Sequence, residues 1–106
     1  MPSRLNELNK LEAYLVGMDI PYDRADRDEK LDDRGLIIQT DWHQIIVYDA
    51  EGNRVWDAVC HTFSYGNENG LLEIMGDIVD EKEHPDHVEG WLTADEVIQR
   101  IEKEER

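Results

Sequence analysis

The chain has 106 residues, 40% of them hydrophobic and 35% charged, and its 26 acids against 11 bases give a formal net charge of −15. That is length enough for one domain with a modest core, and too apolar for a disordered acidic tail. It leaves no apolar run near the roughly 18 residues needed to span a bilayer, and such a negative field argues against direct binding of DNA, RNA or anionic lipid.

The acidity is unevenly spread. Residues 1–40 hold nine acids and six bases, residues 97–106 hold three of each, and residues 41–96 hold fourteen acids opposed only by Arg54 and Lys82. A single cysteine, Cys60, rules out an intrachain disulfide, and the opening MPSRLNELNK lacks the apolar core of a secretion signal. A reducing cytoplasm is the expected setting.

In chain order, Ser3 is placed to cap a helix whose apolar stripe is Leu5, Leu8, Leu11, Leu15 and Met18, with Gly17 as its left-handed stop and Pro21 just beyond. Residues 22–27, YDRADR, read as a short polar edge strand. EKLDDRG is expected to be a charged loop leading into three β-rich runs, LIIQT, HQIIVYD and RVWDAVCHT, joined through DW and AEGN as an antiparallel meander. In the last run Trp56, Ala58 and Cys60 alternate with Val55, Asp57 and Val59, which makes the first set the core face. Ile37, Ile46 and Val55 leave apolar groups on the other face, so a helix, a long loop or a partner subunit is expected to cover it. After FSYGNENG, the run LLEIMG between Asn69 and Gly76 reads as a two-turn helix, and Thr93 with Glu96 makes a capping box for a final helix carrying Val97, Ile98 and Ile101. The expected architecture is a single α+β domain over residues 1–106. It comprises an antiparallel meander of three or four strands packed with an N-terminal helix and two C-terminal helices.

The stretch DIVDEKEHPDHVEG, residues 77–90, carries six carboxylates, two histidines and one lysine. As a metal site it is weak: His84 and His87 are close in sequence, but Cys60 and His61 are adjacent on a strand and point to opposite faces. It also lacks the Asp/Asn spacing and central glycine of a calcium loop. Cys60 as a nucleophile would need a base and access, and its strand face reads instead as core. No Gly-Xaa-Ser-Xaa-Gly elbow, phosphate loop or dinucleotide fingerprint is present, and the Asp and Glu-Xaa-Lys pattern of small metal-dependent nucleases is missing. The expectation is therefore a protein with no enzyme activity, cofactor or metal. What remains is the charge: Asp77, Asp80, Glu81, Glu83, Asp86 and Glu89, with Glu68, Glu73, Asp95 and Glu96 as candidates to extend them, are the candidate anionic face for a cationic groove built for phosphates. Their alternative is dispersal around the surface for solubility. Trp42, placed in the turn between two strands, is either an exposed partner anchor or folded over the sheet edge; Trp91 reads as a core plug or helix staple.

The segments WDAVCHTFSYGNENGLLEIMG and VEGWLTADEVIQRI resemble small uncharacterised proteins encoded by phages, prophages and mobile elements of Gram-positive bacteria. The shared features are Trp56 with Asp57, Ser64 to Gly66, Leu71 to Glu73, and Gly90 to Ala94, across about residues 44–101. That resemblance implies a setting, that of inhibitors of host defence such as anti-CRISPR proteins, and transfers no catalytic residue. The expected partner is a basic, nucleic-acid-binding host protein, foremost a CRISPR effector. The alternative is an interaction or scaffold protein, dimeric or larger, whose acidity serves solubility alone.

Overall fold

The computed structural model describes residues 5–61 and 70–104; Ser3, Ser64 to Gly66, Glu68 and Asn69 lie outside them. Its elements are α1 (Asn6–Gly17), β1 (Tyr22–Arg27), β2 (Lys30–Leu31), β3 (Ile37–Gln39), β4 (Trp42–Tyr48), β5 (Arg54–His61), β6 (Leu72–Gly76), β7 (Val88–Leu92) and α2 (Ala94–Glu104). Five strands form one antiparallel sheet in the order β1-β4-β5-β6-β7, and β2 pairs with β3 as a separate two-stranded arm.

The core is built by the pleat. Along β4, His43, Ile45 and Val47 are buried and alternate with half-buried neighbours. The registers Val47↔Trp56, Ile45↔Ala58 and His43↔Cys60 put the expected set Trp56, Ala58 and Cys60 on the same face. Leu8, Leu11 and Leu15 of α1, and Val97 and Ile101 of α2, join that face in one apolar cluster with Leu72 and Ile74. The α1 stripe is thus three leucines long, because Met18 lies beyond the helix and is exposed.

Each helix end has a local cause. The Ile20 N–H donates to the Leu15 carbonyl and the Asp19 N–H to that of Val16, a Schellman closure in which Asp19, at φ 59°, is the left-handed residue. Gly17, expected in that role, is instead the last helical residue. At α2 the capping box is present: the Thr93 hydroxyl accepts from the Glu96 N–H at 3.2 Å, and Glu96 Oε1 accepts from the Thr93 N–H at 3.1 Å. Glu7 of α1 takes the Ala94 N–H at 2.8 Å, so one helix helps cap the other.

Several elements differ from expectation for identifiable reasons. LLEIMG is a strand, not a helix: Leu72 and Ile74 point to the core at period two, and pairing with β5 and β7 outweighs the local helical preference of so short a run. Among the described residues one C-terminal helix, α2, follows. LIIQT does not join the meander, because β1 and β5 occupy the two edges of β4; Ile37 therefore belongs to the arm. Trp42 is the first residue of β4 and not part of a turn. Val55 is the extra residue between the Trp56 and Arg54 pairings, and this bulge sets it against the core cluster. Likewise β7 spends three steps between Glu89 and Leu92 while β6 spends two, and Trp91, in this bulge at φ 62°, is exposed while Leu92 is buried.

Gly76 closes β6 at φ +117°, and a Cβ there would lie 2.6 Å from the Val55 carbonyl oxygen and 2.8 Å from Trp56 Cα. Gly76→Ala is expected to lower stability by at least about 2 kcal/mol through combined strain and overlap. Gly52→Ala, at φ +85° with open space around it, should cost only about 1 kcal/mol. Urea denaturation of both variants checks the difference.

Candidate functional site

The acidic stretch 77–87 connects β6 to β7 and is a pinned loop. Ile78 and Val79 are buried near its start, 7% and 4% exposed, while Asp77, Asp80, Glu81, Glu83 and Asp86 stand outside. The chain rolls over that apolar anchor through backbone bonds: Asp77 N–H to Val55 at 3.0 Å, Val79 to Gly76 at 3.1 Å, His84 to Asp80 at 2.8 Å and His87 to His84 at 2.9 Å.

Two of its carboxylates also build the turns. Asp80 Oδ1 accepts from the Lys82 N–H at 3.0 Å and Asp86 Oδ1 from the Val88 N–H at 3.2 Å. The same device recurs elsewhere. Asp32 Oδ1 accepts from the Arg34 and Leu36 N–H groups, and Asp49 Oδ1 from those of Glu51 and Asn53. The Asn53 N–H bond to Asp49 is the main reason its carboxyl sits below the usual carboxylate range.

An open cleft of 660 Å³ lies between the loop and α2, lined by Asp77, Asp80, Glu81, Glu83 and Glu89 on the acidic side and by Lys82, Arg100 and Lys103 on the basic one. Five of the six expected acids therefore converge on one feature, while Asp86 stands exposed outside its lining. They are less unopposed than the sequence suggested, because α2 returns Arg100 and Lys103 to the same place. Glu89 is committed internally: Arg100 donates to it through Nη2 at 2.9 Å and Nε at 3.1 Å, and His84 Nε2 stands 3.7 Å away. The Arg100 bond holds the Glu89 carboxyl below its ordinary value against the effect of burial, and the same bond raises Arg100.

Trp42 is not part of this surface. Its ring stacks on His61 at 4.2 Å and 5°, and its Nε1–H donates to Gln44 Oε1 at 3.0 Å. Gln44 in turn donates to Asp57 at 2.6 Å, and Arg54 pairs with Asp57 at 3.1 Å, so this sheet face carries a polar chain. The registers Arg27↔Trp42↔His61 fix one end of the sheet, and Val47↔Trp56↔Gly76 fix the other, where the acidic loop begins. Five residue steps of β4, from Trp42 to Val47, separate the ends, about 17 Å.

Cys60 is fully buried and His61 lies on the opposite face. No three His, Cys, Asp or Glu side chains among the described residues are grouped to hold a metal ion.

A polar cluster that sequence reading missed sits where β1 meets α1. Arg24, 14% exposed at its side chain, donates to Asn9 at 2.8 Å, Glu12 at 3.1 Å and Asp26 at 3.0 Å, while Tyr22 donates to Glu12 at 3.0 Å. Asp26 Oδ1 lies 2.8 Å from Nδ1 of buried His43, whose Nε2 is 3.8 Å from Asp41. Burial pushes the Asp26 carboxyl up, but hydrogen bonds from His43 and Arg24 together hold it below the usual range. The available signal was the pairing of DRADR with DWHQ, which becomes readable once β1 is placed beside β4.

Comparison of the chain with protein-family models, with curated proteins and with solved structures returned no match. No helix among the described residues is long and apolar enough to cross a membrane.

The Glu89–Arg100 pair gives a test of the loop's attachment. Since the folded carboxyl is depressed, its contribution is fully present above the unfolded value, about 4.3, and is lost as pH falls through the lower folded value. Arg100→Met is expected to lower stability by about 1–3 kcal/mol at pH 7, and most of that difference should vanish well below about pH 4. Urea midpoints of both proteins at the two pH values measure it.

Proposed function

We propose that this is a non-enzymatic acidic binding protein that acts in the bacterial cytoplasm. The exposed carboxylates of loop 77–87 occupy a basic, nucleic-acid-binding surface of a host defence protein, foremost a CRISPR effector. The observation that carries this reading is the presentation of Asp77, Asp80, Glu81, Glu83 and Asp86 on one loop pinned by Ile78 and Val79. An anchored loop forfeits little conformational freedom on binding, so its charge is available for association. The setting among proteins of phages and mobile elements is part of this proposal and rests on the likeness read in residues 44–101 alone. Glu89 acts here as the tether of the loop to α2, and Trp42 as part of the far end of the sheet.

The attraction would be long-ranged, fast and salt-sensitive. Because Asp80 and Asp86 also accept turn N–H groups, charge must be removed without removing the acceptors. The variant Asp80→Asn, Glu81→Gln, Glu83→Gln and Asp86→Asn does this. Immobilised wild-type protein is expected to retain a basic protein from lysate of a Gram-positive host and release it on salt titration. The fourfold variant, with an unchanged melting temperature, should retain it at least about tenfold more weakly. Equal retention by a folded fourfold variant would remove the loop from the interface.

A further inference from the structure

The strongest unexplained surface is the arm. Leu31, Leu36, Ile37 and Ile38 are each more than half exposed, Ile38 most at 66%. They lie within eight consecutive positions of a hairpin whose two strands pair only with each other among the described residues. Its turn is well made: Asp32 takes the Arg34 and Leu36 N–H groups at 2.8 and 2.9 Å, and Gly35 supplies φ +83°. Its root is held by the Gln39 side chain donating to the Asp28 carbonyl at 2.7 Å and by Arg27 donating to that of Thr40 at 3.2 Å. A two-stranded hairpin is marginal in water by itself, and a contiguous exposed aliphatic patch marks a contact surface.

We infer that the arm is a homodimerisation element, in which two copies meet about a two-fold axis through Leu31, Leu36, Ile37 and Ile38. Charge selects the occupant. Residues 27–40 carry Arg27, Lys30 and Arg34 against Asp28, Glu29, Asp32 and Asp33, a net of −1 in a chain of −15, and Leu36 to Thr40 carry no charge. A basic partner finds no excess of anions here, whereas an equally neutral apolar patch is complementary, and the patch itself is one. LIIQT also lacks the charges and prolines that protect an edge strand, in contrast to YDRADR of β1. Placement removes the main objection to self-association. The arm leaves the sheet at the Arg27↔Trp42 end, about 17 Å along β4 from the start of the acidic loop. That is about two Debye lengths at physiological salt, about 8 Å each, so repulsion between the acidic loops and the joint is largely screened.

The test is light scattering coupled to size-exclusion chromatography, with sedimentation equilibrium at low and high salt. The wild-type protein is expected at twice the 12.4 kDa chain mass. Its association should strengthen with salt, opposite in sign to binding through the acidic loop, so this inference and the proposed function fail separately. Ile38→Lys, which enters a two-fold contact twice, should raise the dimer dissociation constant at least about 30-fold; with both proteins diluted to monomer its urea midpoint should match the wild type, because Ile38 is exposed in the single chain. Val16→Lys, on α1 and 62% exposed, should leave the dimer intact. A monomer at every concentration and salt, a dimer indifferent to Ile38→Lys, or equal disruption by Val16→Lys overturns the inference.

Discussion

The structure depends on keeping one face of a five-stranded sheet dry with two helices of twelve and eleven residues. Neither helix is long enough to be stable alone, so each exists because it covers the sheet. Leu8, Leu11 and Leu15 meet the buried side chains of β4 and β5, and Val97 and Ile101 complete the cluster from the other helix. The capping of α2 by Glu7 of α1 ties the two helix positions together at the same place. Within that sheet the inward positions of β4, β5, β6 and β7 follow from the covered face, including the bulges at Val55 and Trp91 that set which side chain turns inward.

Around this core the carboxylates are divided by what donates to them. Asp32, Asp49, Asp80 and Asp86 accept backbone N–H groups and shape turns; Glu12, Asp26 and Glu89 accept from arginines and fix elements to one another. Acidity is thus partly a folding device, and net charge alone overstates what is offered to a partner. Loop 77–87 still differs from the other turns, because Ile78 and Val79 anchor it while its acids face out. Its turn bonds occupy one oxygen of Asp80 and of Asp86, and an ionised carboxylate has acceptor sites to spare. Turn formation and recognition are therefore compatible in the same side chain.

What could be read from the sequence was what local chemistry determines. The α1 leucines, the polar strand at 22–27, the alternation of Trp56, Ala58 and Cys60, and the Thr93–Glu96 box all depend on residues near one another in the chain. What escaped depended on distant partners. Leu72 to Gly76 becomes a strand because β5 and β7 flank it, and Ile37 to Gln39 leaves the sheet because β1 has taken the edge of β4. For the site, the loop's acids and their clustering were legible as composition, but three features were not. These are the return of Arg100 and Lys103 to the cleft, the removal of Trp42 to the opposite end, and the Asp26–His43 contact. Each needs the strand order before it can be seen.

That strand order also bears on how the two proposed surfaces combine. The arm leaves the sheet where Arg27, Trp42 and His61 align, and the acidic loop begins where Val47, Trp56 and Gly76 align. Two copies joined at their arms would keep both acidic loops clear of the joint. Such a dimer offers two anionic surfaces to a partner with repeated or extended basic grooves, and the second contact then forms at the effective concentration set by the first. The geometry also limits the benefit, since two short rigid bodies span only a fixed distance and a partner with differently spaced grooves would engage one loop at a time. Self-association and acidity, which compete if they share a surface, become additive because the sheet lies between them.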